Sequence, residues 1–342
     1  RVQAGMDYEQ AAQQVRRTSI FTTHTPVAAG TDVYPFQLME KYFASYLGRL
    51  DADRDTFLQL GINPQDADAG FNMTVFALRM AQFSNAVSQR HGEVAHKLWA
   101  GLWPDRKEEE VPIASITNGV HLAGWTEPLR LQPLLNRTLG SAWRINQDQP
   151  EIWEAVDQIP DDELWHLHQN LKVELIAQID ERVRERWQKD GVAAANVLAL
   201  GALLDPEVLT LGFARRFTAY KRPDLILTDL ERLRRLLTDP WHPVQIIFAG
   251  KAHPADVEGK RLIQKVFRLA QDPEFGGRIA FVENYDQQLA EYMVQGVDIW
   301  LNNPVPPLEA SGTSGMKASV NGVPNLSILD GWWIEGYNGS NG

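Results

Sequence analysis

From residue 208 onward the chain alternates short apolar runs with segments of helical period: 208–214, 224–237, 244–249, 257–270, 278–282, 287–295 and 298–301. Nothing else in the sequence constrains the fold as strongly. Short strands separated by helices pair in parallel through crossover connections, so the rhythm predicts an α/β domain built on a doubly wound parallel sheet. In such sheets ligands bind outside the carboxyl ends of the strands, which gives the residues just after each apolar run the most weight.

The first third reads differently. Helical period at 8–17, 34–50 and 73–79 is broken by apolar runs at 19–23 and 111–117, the second ending on Asn118-Gly119, a strong turn signal. Between 152 and 190 charge is dense, and Leu164, Leu167, Leu171, Leu175, Ile179 and Val183 recur at helical spacing. That segment is expected to form long, partly exposed helices linking two lobes. The expected domains are 1–135 as the end of a first lobe, 136–205 as a helical connection, and 206–342 as a second, Rossmann-like lobe.

Composition removes several function classes. A chain of 342 residues with a formal net charge of −11 is a poor general nucleic-acid binder, because counterion release needs a basic surface. Any anion must be held by a local basic cluster. With no cysteine there is no disulfide framework, thiolate nucleophile or cysteine zinc site, which fits a cytoplasmic setting. No apolar run approaches the ~20 residues needed to span a bilayer, and the first residues lack a signal-peptide core, so no membrane partner is expected. His91 and His96 have no third ligand at a sensible spacing, and no metal is assigned.

Two segments carry chemistry. Between an apolar run and the next helical segment stand Arg215, Arg216, Lys221 and Arg222, where helix amides and guanidinium groups favour an anion. The second, 307–322, is a small-residue loop leading into a helix, with neither Walker A nor G-x-G-x-x-G spacing. Its backbone amides are expected to face one anion. Lys317 is expected in the first helical turn behind it, where nearby positive charge and burial both favour a neutral, nucleophilic amine. Taken singly, each residue has a plainer explanation: a solvated basic turn, a surface lysine, a structural histidine at His24, turn chemistry at Asn118, and packing for Trp125.

In chain order the segments FTTHTPVAAGTDVYP, SITNGVHLAGW, GFARRFTAYKRPDLIL, IIFAGKAHPAD, FVENYDQQLAEYMVQGVDIWLN and PLEASGTSGMKASVNG resemble the α-1,4-glucan phosphorylase family (glycogen, starch and maltodextrin phosphorylases), particularly its shorter prokaryotic branch. The resemblance implies a GT-B-type glycosyltransferase fold with two Rossmann-like lobes. It implies pyridoxal 5′-phosphate as cofactor, joined to Lys317 as a Schiff base, with Arg215, Trp125, Tyr285, Thr313 and Ser314 as cofactor neighbours. Arg216 and Lys221 match the pair that binds the substrate phosphate. His24 and Asn118 match residues that bind the glucosyl 6-hydroxyl, and Tyr220, Glu309, Ala310, Ser311 and Gly312 match the rest of the glucosyl pocket.

The implied reaction is reversible phosphorolysis of a terminal α-1,4-linked glucose. Its partners are the glucan, inorganic phosphate and glucose 1-phosphate, and a homodimer of the full-length protein is compatible with it. Two departures stand out: Asp286 follows Tyr285 where many relatives carry a basic residue, and Gly315 replaces a common asparagine. The family's early glycine-rich phosphate loop has no counterpart here, which implies an internal fragment with an incomplete first lobe. A nucleotide-sugar glucosyltransferase of glycogen-synthase type and an inactive glucan-binding fragment stand as alternatives.

Overall fold

The computed structural model describes residues 5–27, 30–191 and 193–341. Ala28 and Ala29, inside the first of the six motifs, lie outside the described residues, as do the first four residues and Gly342 at the chain ends. The described residues form two compact units. One takes those up to Asn118 together with Pro306–Gly312 and Leu329–Gly336; the other takes the rest.

The first unit begins with α1 (Tyr8–Arg17), whose N-terminus is capped by the Asp7 carboxylate accepting from Gln10 N–H at 2.8 Å. Then come β1 (Ile20–Thr22), β2 (Val33–Tyr34), α2 (Phe36–Leu50), α3 (Arg54–Gln59), β3 (Phe71–Asn72), α4 (Met73–Met80), β4 (Phe83–Ala86), α5 (Gln89–Trp99) and β5 (Ile113–Ser115). The helix expected from residue 34 starts at Phe36: Pro35 bars the preceding residue from helical geometry, and Val33 and Tyr34 pair antiparallel with Asn72 and Phe71 instead. The strands β1, β4 and β5 lie side by side in parallel, with Thr22 opposite Asn85 and Asn85 opposite Ala114. The strand β4 escapes a search for apolar runs because Ser84 and Asn85 carry no apolar signal, yet both are buried. Val75, Leu78, Ala86, Ala95, Trp99, Val111 and Ile113 form the core beneath this sheet.

In the second unit, α6 (Leu122–Trp125), α7 (Leu131–Leu139), α8 (Pro150–Trp153), α9 (Asp161–Asp190) and α10 (Ala194–Ala199) precede the predicted alternation. That alternation is present as β6 (Leu209–Ala214), α11 (Leu230–Leu237), β7 (Val244–Ala249), α12 (Val257–Ala270), β8 (Ile279–Val282), α13 (Gln287–Gly296), β9 (Ile299–Asn302), α14 (Thr313–Ser319) and β10 (Asn325–Ser327). All five strands are parallel, in the order β10-β9-β6-β7-β8. Side chains of a strand alternate between faces, and both faces here are apolar. Phe213, Ile246, Phe248, Ile279 and Phe281 enter one core with α11 and α12, while Ala214, Ile247, Ala249, Ala280 and Val282 enter the other with α9, α13 and α14. This is the doubly wound arrangement the alternation predicts.

The dense segment 152–190 holds a single 30-residue helix, α9, after a short turn rather than several helices. Pro160 precedes it, Asp161, Asp162 and Glu163 complement the dipole of its first turn, and Gly191, at φ 57°, ends it. Leu175, Ile176, Ile179 and Val183 bury it against the sheet, whereas Leu164 is exposed. The pattern at 224–237 divides into a 3₁₀ turn at Leu225–Leu227 and α11, because the Asp229 carboxylate caps a new start at Arg232 N–H.

One buried polar cluster ties α9 to the sheet. Lys172, 1% exposed, gives its ammonium to Asp298 Oδ2 at 2.9 Å, and Asp298 also accepts from His168 and from Thr210 N–H on β6. Burial pushes the Asp298 carboxyl up, but the bonds from His168, Lys172 and Thr210 outweigh it, leaving the group below its ordinary 3.8. Its contribution to stability is therefore complete above that value and is lost as the pH falls through the native pKa. We expect Asp298→Asn, which leaves the Lys172 charge buried and uncompensated, to cost about 3–5 kcal/mol in urea denaturation at neutral pH.

Candidate functional site

In a doubly wound sheet the ligand crevice opens where the strand order reverses. Here the chain runs outward from β6 through β7 to β8 and then returns to β9 on the other side of β6, so the reversal lies between β6 and β9. Arg215, the first residue after β6, is 8% exposed, and its guanidinium donates to the Asn302 side chain at the end of β9. Asn302 Nδ2 in turn donates to Ser327 Oγ at the end of β10, at 3.0 Å. The carboxyl ends of three adjacent strands are thus linked through side chains, with a buried cation at the switch point. Gly250 is needed alongside: at φ 155° its missing Cβ would fall 2.1 Å from the Arg215 carbonyl oxygen.

The rest of the basic segment divides by role. Lys221 is buried, with its amine 4.7 Å from the Tyr220 ring centroid, while Arg216 is exposed. Arg222, grouped with them in sequence, spends its guanidinium on the carbonyl oxygens of Asn303 and Pro304, at 2.8 and 2.6 Å. Asn303 Nδ2 returns a bond to the Arg222 carbonyl at 2.8 Å, and Val305 N–H donates to the Tyr220 carbonyl at 2.7 Å. Arg222 therefore holds the Tyr220–Lys221 turn against the irregular segment that follows β9, a use of charge that spacing alone does not reveal.

Lys317 is the fifth residue of α14, one turn deeper than expected. Its amine sits 3.7 Å from the centroid of the Trp125 ring. Burial lowers its pKa from 10.5, and this is the only cause of the shift; the Arg215 charge expected to assist acts instead on Tyr285. The Tyr285 hydroxyl is pushed up to about 12 by burial, with Arg215 opposing and Asp286 adding to the rise. Asp286 is taken up by Arg182 of α9, with bonds of 3.0 and 2.9 Å, and caps α13 through Leu289 N–H. Ser314, three residues before Lys317 on the same helical face, has a buried hydroxyl with no hydrogen-bond partner, and Thr313 opens the helix.

The other expected residues belong to the first unit, at the carboxyl ends of its three parallel strands. His24 follows β1 and is exposed; Asn118 follows β5 and gives its N–H to the Val87 carbonyl at 3.1 Å. After β4, the Ser88 hydroxyl donates to the Ala310 carbonyl at 2.7 Å, which brings Glu309–Gly312 to the same edge. Glu309, Ala310 and Ser311 are buried, and the Ser311 hydroxyl has no partner. The loop was expected to aim its amides at one outside anion. One of these amides is taken within the fold: the Asp330 carboxylate accepts from Glu309 N–H, and from its own neighbour Gly331 N–H, each at 2.9 Å, while Trp332 N–H bonds the Ser311 carbonyl. Burial pushes the Asp330 carboxyl up, the two amides hold it down, and the neighbouring Glu309 adds to the rise.

Sequence reasoning missed Ser88, Asn302, Asn321 and Asp330, and weighed His91 only as a metal ligand. Asn302 and Asp330 carried a faint signal, a polar residue closing an apolar run; the others carried none. His91, 2% exposed, accepts from Val87 N–H at 3.3 Å and bonds the Thr25 backbone, joining the ends of β1 and β4.

The carbohydrate phosphorylase family model matches residues 2–338. The glycogen phosphorylase of Aquifex aeolicus is 54% identical over 338 residues, covering 99% of this chain and 48% of the relative. The maltodextrin phosphorylase of Thermococcus litoralis is 46% identical (100% and 40%), and the glycogen phosphorylase of Mycobacterium tuberculosis 43% (99% and 39%). The chain belongs to the carbohydrate phosphorylase family, as the six motifs implied. It spans less than half the length of these relatives, and its parallel α/β sheets accord with the glycosyltransferase-type fold expected of the family.

Burial lowers the His91 pKa from 6.5 to about 4, with nearby His24 adding to the fall and the Thr25 bond opposing it. The neutral ring stabilises the folded state fully above 6.5, and that contribution is lost as the pH drops toward 4. We expect denaturant midpoints to fall between pH 7 and pH 5, and His91→Gln to flatten that slope.

Proposed function

We propose that the protein carrying this chain is an α-glucan phosphorylase that uses pyridoxal 5′-phosphate, and that Lys317 is the residue joined to the cofactor. The observation that carries the reading is the Lys317 amine, half-buried, lowered in pKa and set against an indole face. An aldehyde condenses with a neutral amine, and an aromatic ring gains by packing on an aromatic face. Trp125 and Tyr285 offer that surface, and Arg215 with the hydroxyls of Thr313 and Ser314 would hold the phosphate ester. The buried, unpartnered Ser314 hydroxyl fits this role. Bound there, the cofactor supplies a phosphate group with a second pKa of about 6, suited to exchanging a proton near neutral pH.

The remaining roles are those that the family resemblance implies. Two phosphates brought close repel strongly at low dielectric, so concentrated positive charge is required. Arg216 and Lys221 would bind inorganic phosphate, or the phosphate of glucose 1-phosphate in the reverse direction, with Arg222 holding the turn that presents Lys221. His24 and Asn118 would bind the 6-hydroxyl of the terminal glucose, and Tyr220, Glu309, Ala310, Ser311 and Gly312 the rest of the sugar. We place the reaction in the cytoplasm; no helix among the described residues is long and apolar enough to cross a membrane.

Borohydride treatment after incubation with pyridoxal phosphate, followed by peptide mapping, is expected to mark Lys317. An unmarked Lys317, with chain extension from a nucleotide sugar, would favour the glycogen-synthase reading; a marked lysine without glucose 1-phosphate release from maltodextrin and phosphate would favour a glucan-binding role. Lys221→Ala is expected to abolish phosphorolysis and leave cofactor absorbance largely intact. Lost cofactor with unchanged turnover per loaded enzyme would reverse the role given to Lys221.

A further inference from the structure

We propose that Asn321 is the positioning residue of the cofactor lysine: its side-chain amide ties the Lys317 helix to the Trp125 loop and thereby sets the amine against the indole face. The proposal rests on the reading of Lys317 given above. Asn321 follows α14, is 5% exposed, and has a fully bonded side chain. Its Nδ2 donates to the Lys317 carbonyl and to the Trp125 carbonyl, each at 2.8 Å, and its Oδ1 accepts from Glu127 N–H at 3.0 Å. One side chain therefore bonds the backbone of both residues whose side chains meet.

The loop it grips is itself rigid. The buried Glu127 carboxylate accepts from the N–H groups of Leu129, Arg130 and Leu131 at 2.7, 2.6 and 2.9 Å. Gln132 donates to the carbonyls of Ala123 and Thr126, and Arg130 pairs with Glu174 of α9 at 2.5 Å. With the loop so braced, the three bonds of Asn321 tie the Lys317 helix to it. A buried amide satisfied on all three sides also leaves polar groups stranded when removed, which makes the joint costly to open. Asn325 provides an internal comparison. It is similarly buried and bonds the same helix through Ser319 Oγ at 2.7 Å and the Gly315 carbonyl at 3.3 Å, with no bond to the Trp125 loop.

The test measures the pH midpoint of Lys317 labelling by acetic anhydride, read by mass spectrometry on the whole chain without cofactor, and separately the rate of borohydride-trapped adduct formation with pyridoxal phosphate. Wild type should label with a midpoint below the ordinary 10.5. Asn321→Ala should move the midpoint up toward that value and slow trapping about tenfold for each pH unit by which the midpoint rises, whereas Asn325→Ala should leave both near wild type. An unchanged midpoint in folded Asn321→Ala, or an equal rise in Asn325→Ala, overturns the proposal. Asn321→Leu, of similar volume, serves if the alanine variant does not fold. In wild type the Asn321 side-chain amide protons should be protected from hydrogen exchange, and rapid exchange there also overturns it. Absence of any wild-type adduct would remove the cofactor reading while the labelling midpoints still decide the role of Asn321.

Discussion

The second unit depends on a carboxylate whose side chain is only 9% exposed. Asp298 stands at the start of β9, bonds the amide of Thr210 on β6, and holds Lys172 and His168 of α9. It thereby fixes the pairing of the two strands between which the sheet reverses direction. At the opposite ends of those strands lie Arg215 and Asn302. A charge cluster at the amino ends of β6 and β9 thus secures the register on which the arrangement at their carboxyl ends relies. Its own cost is high, since both charges leave water, and only the dense set of bonds around Asp298 offsets it.

On α14, the helix that follows β9, two physical effects compete over Lys317. The indole face attracts a cation, while burial disfavours one, and burial wins: the amine titrates below its ordinary value. Arg215 and Lys221 are cations buried in the same unit, and Arg222 is held to backbone carbonyls, so this part of the fold stores positive charge in a chain whose net charge is strongly negative. The acidic balance argued against a general polyanion binder; the local concentration is compatible with the phosphate roles proposed above.

The first unit solves a different problem, that of shaping a loop with groups that stay uncharged or fully bonded. His91 is held neutral between the ends of β1 and β4, and Asp330 takes the loop amide of Glu309 together with that of its own neighbour Gly331. Ser88 fastens the Ala310 carbonyl from below. The result is a buried Glu309–Ser311 segment shaped by internal hydrogen bonds, in a loop whose small residues had suggested only an open anion nest.

Local pattern was enough for some features and powerless for others. The alternation from residue 208 determined the parallel, two-faced sheet, because the period of apolar residues decides which faces must be buried. It also placed Arg215 just after a strand, and the ordered motifs determined the family. What sequence could not decide were the relations across long chain separations: that Arg222 serves backbone carbonyls while Lys221 is buried, that an aspartate 21 positions away takes the Glu309 amide, and that Asn321 bonds a carbonyl 196 positions away. A short polar side chain has no periodic signature, and its partner is set by which elements pack beside it. Propensity and spacing act within one element; hydrogen-bond partners and pKa shifts arise only when tertiary packing excludes water from particular atoms.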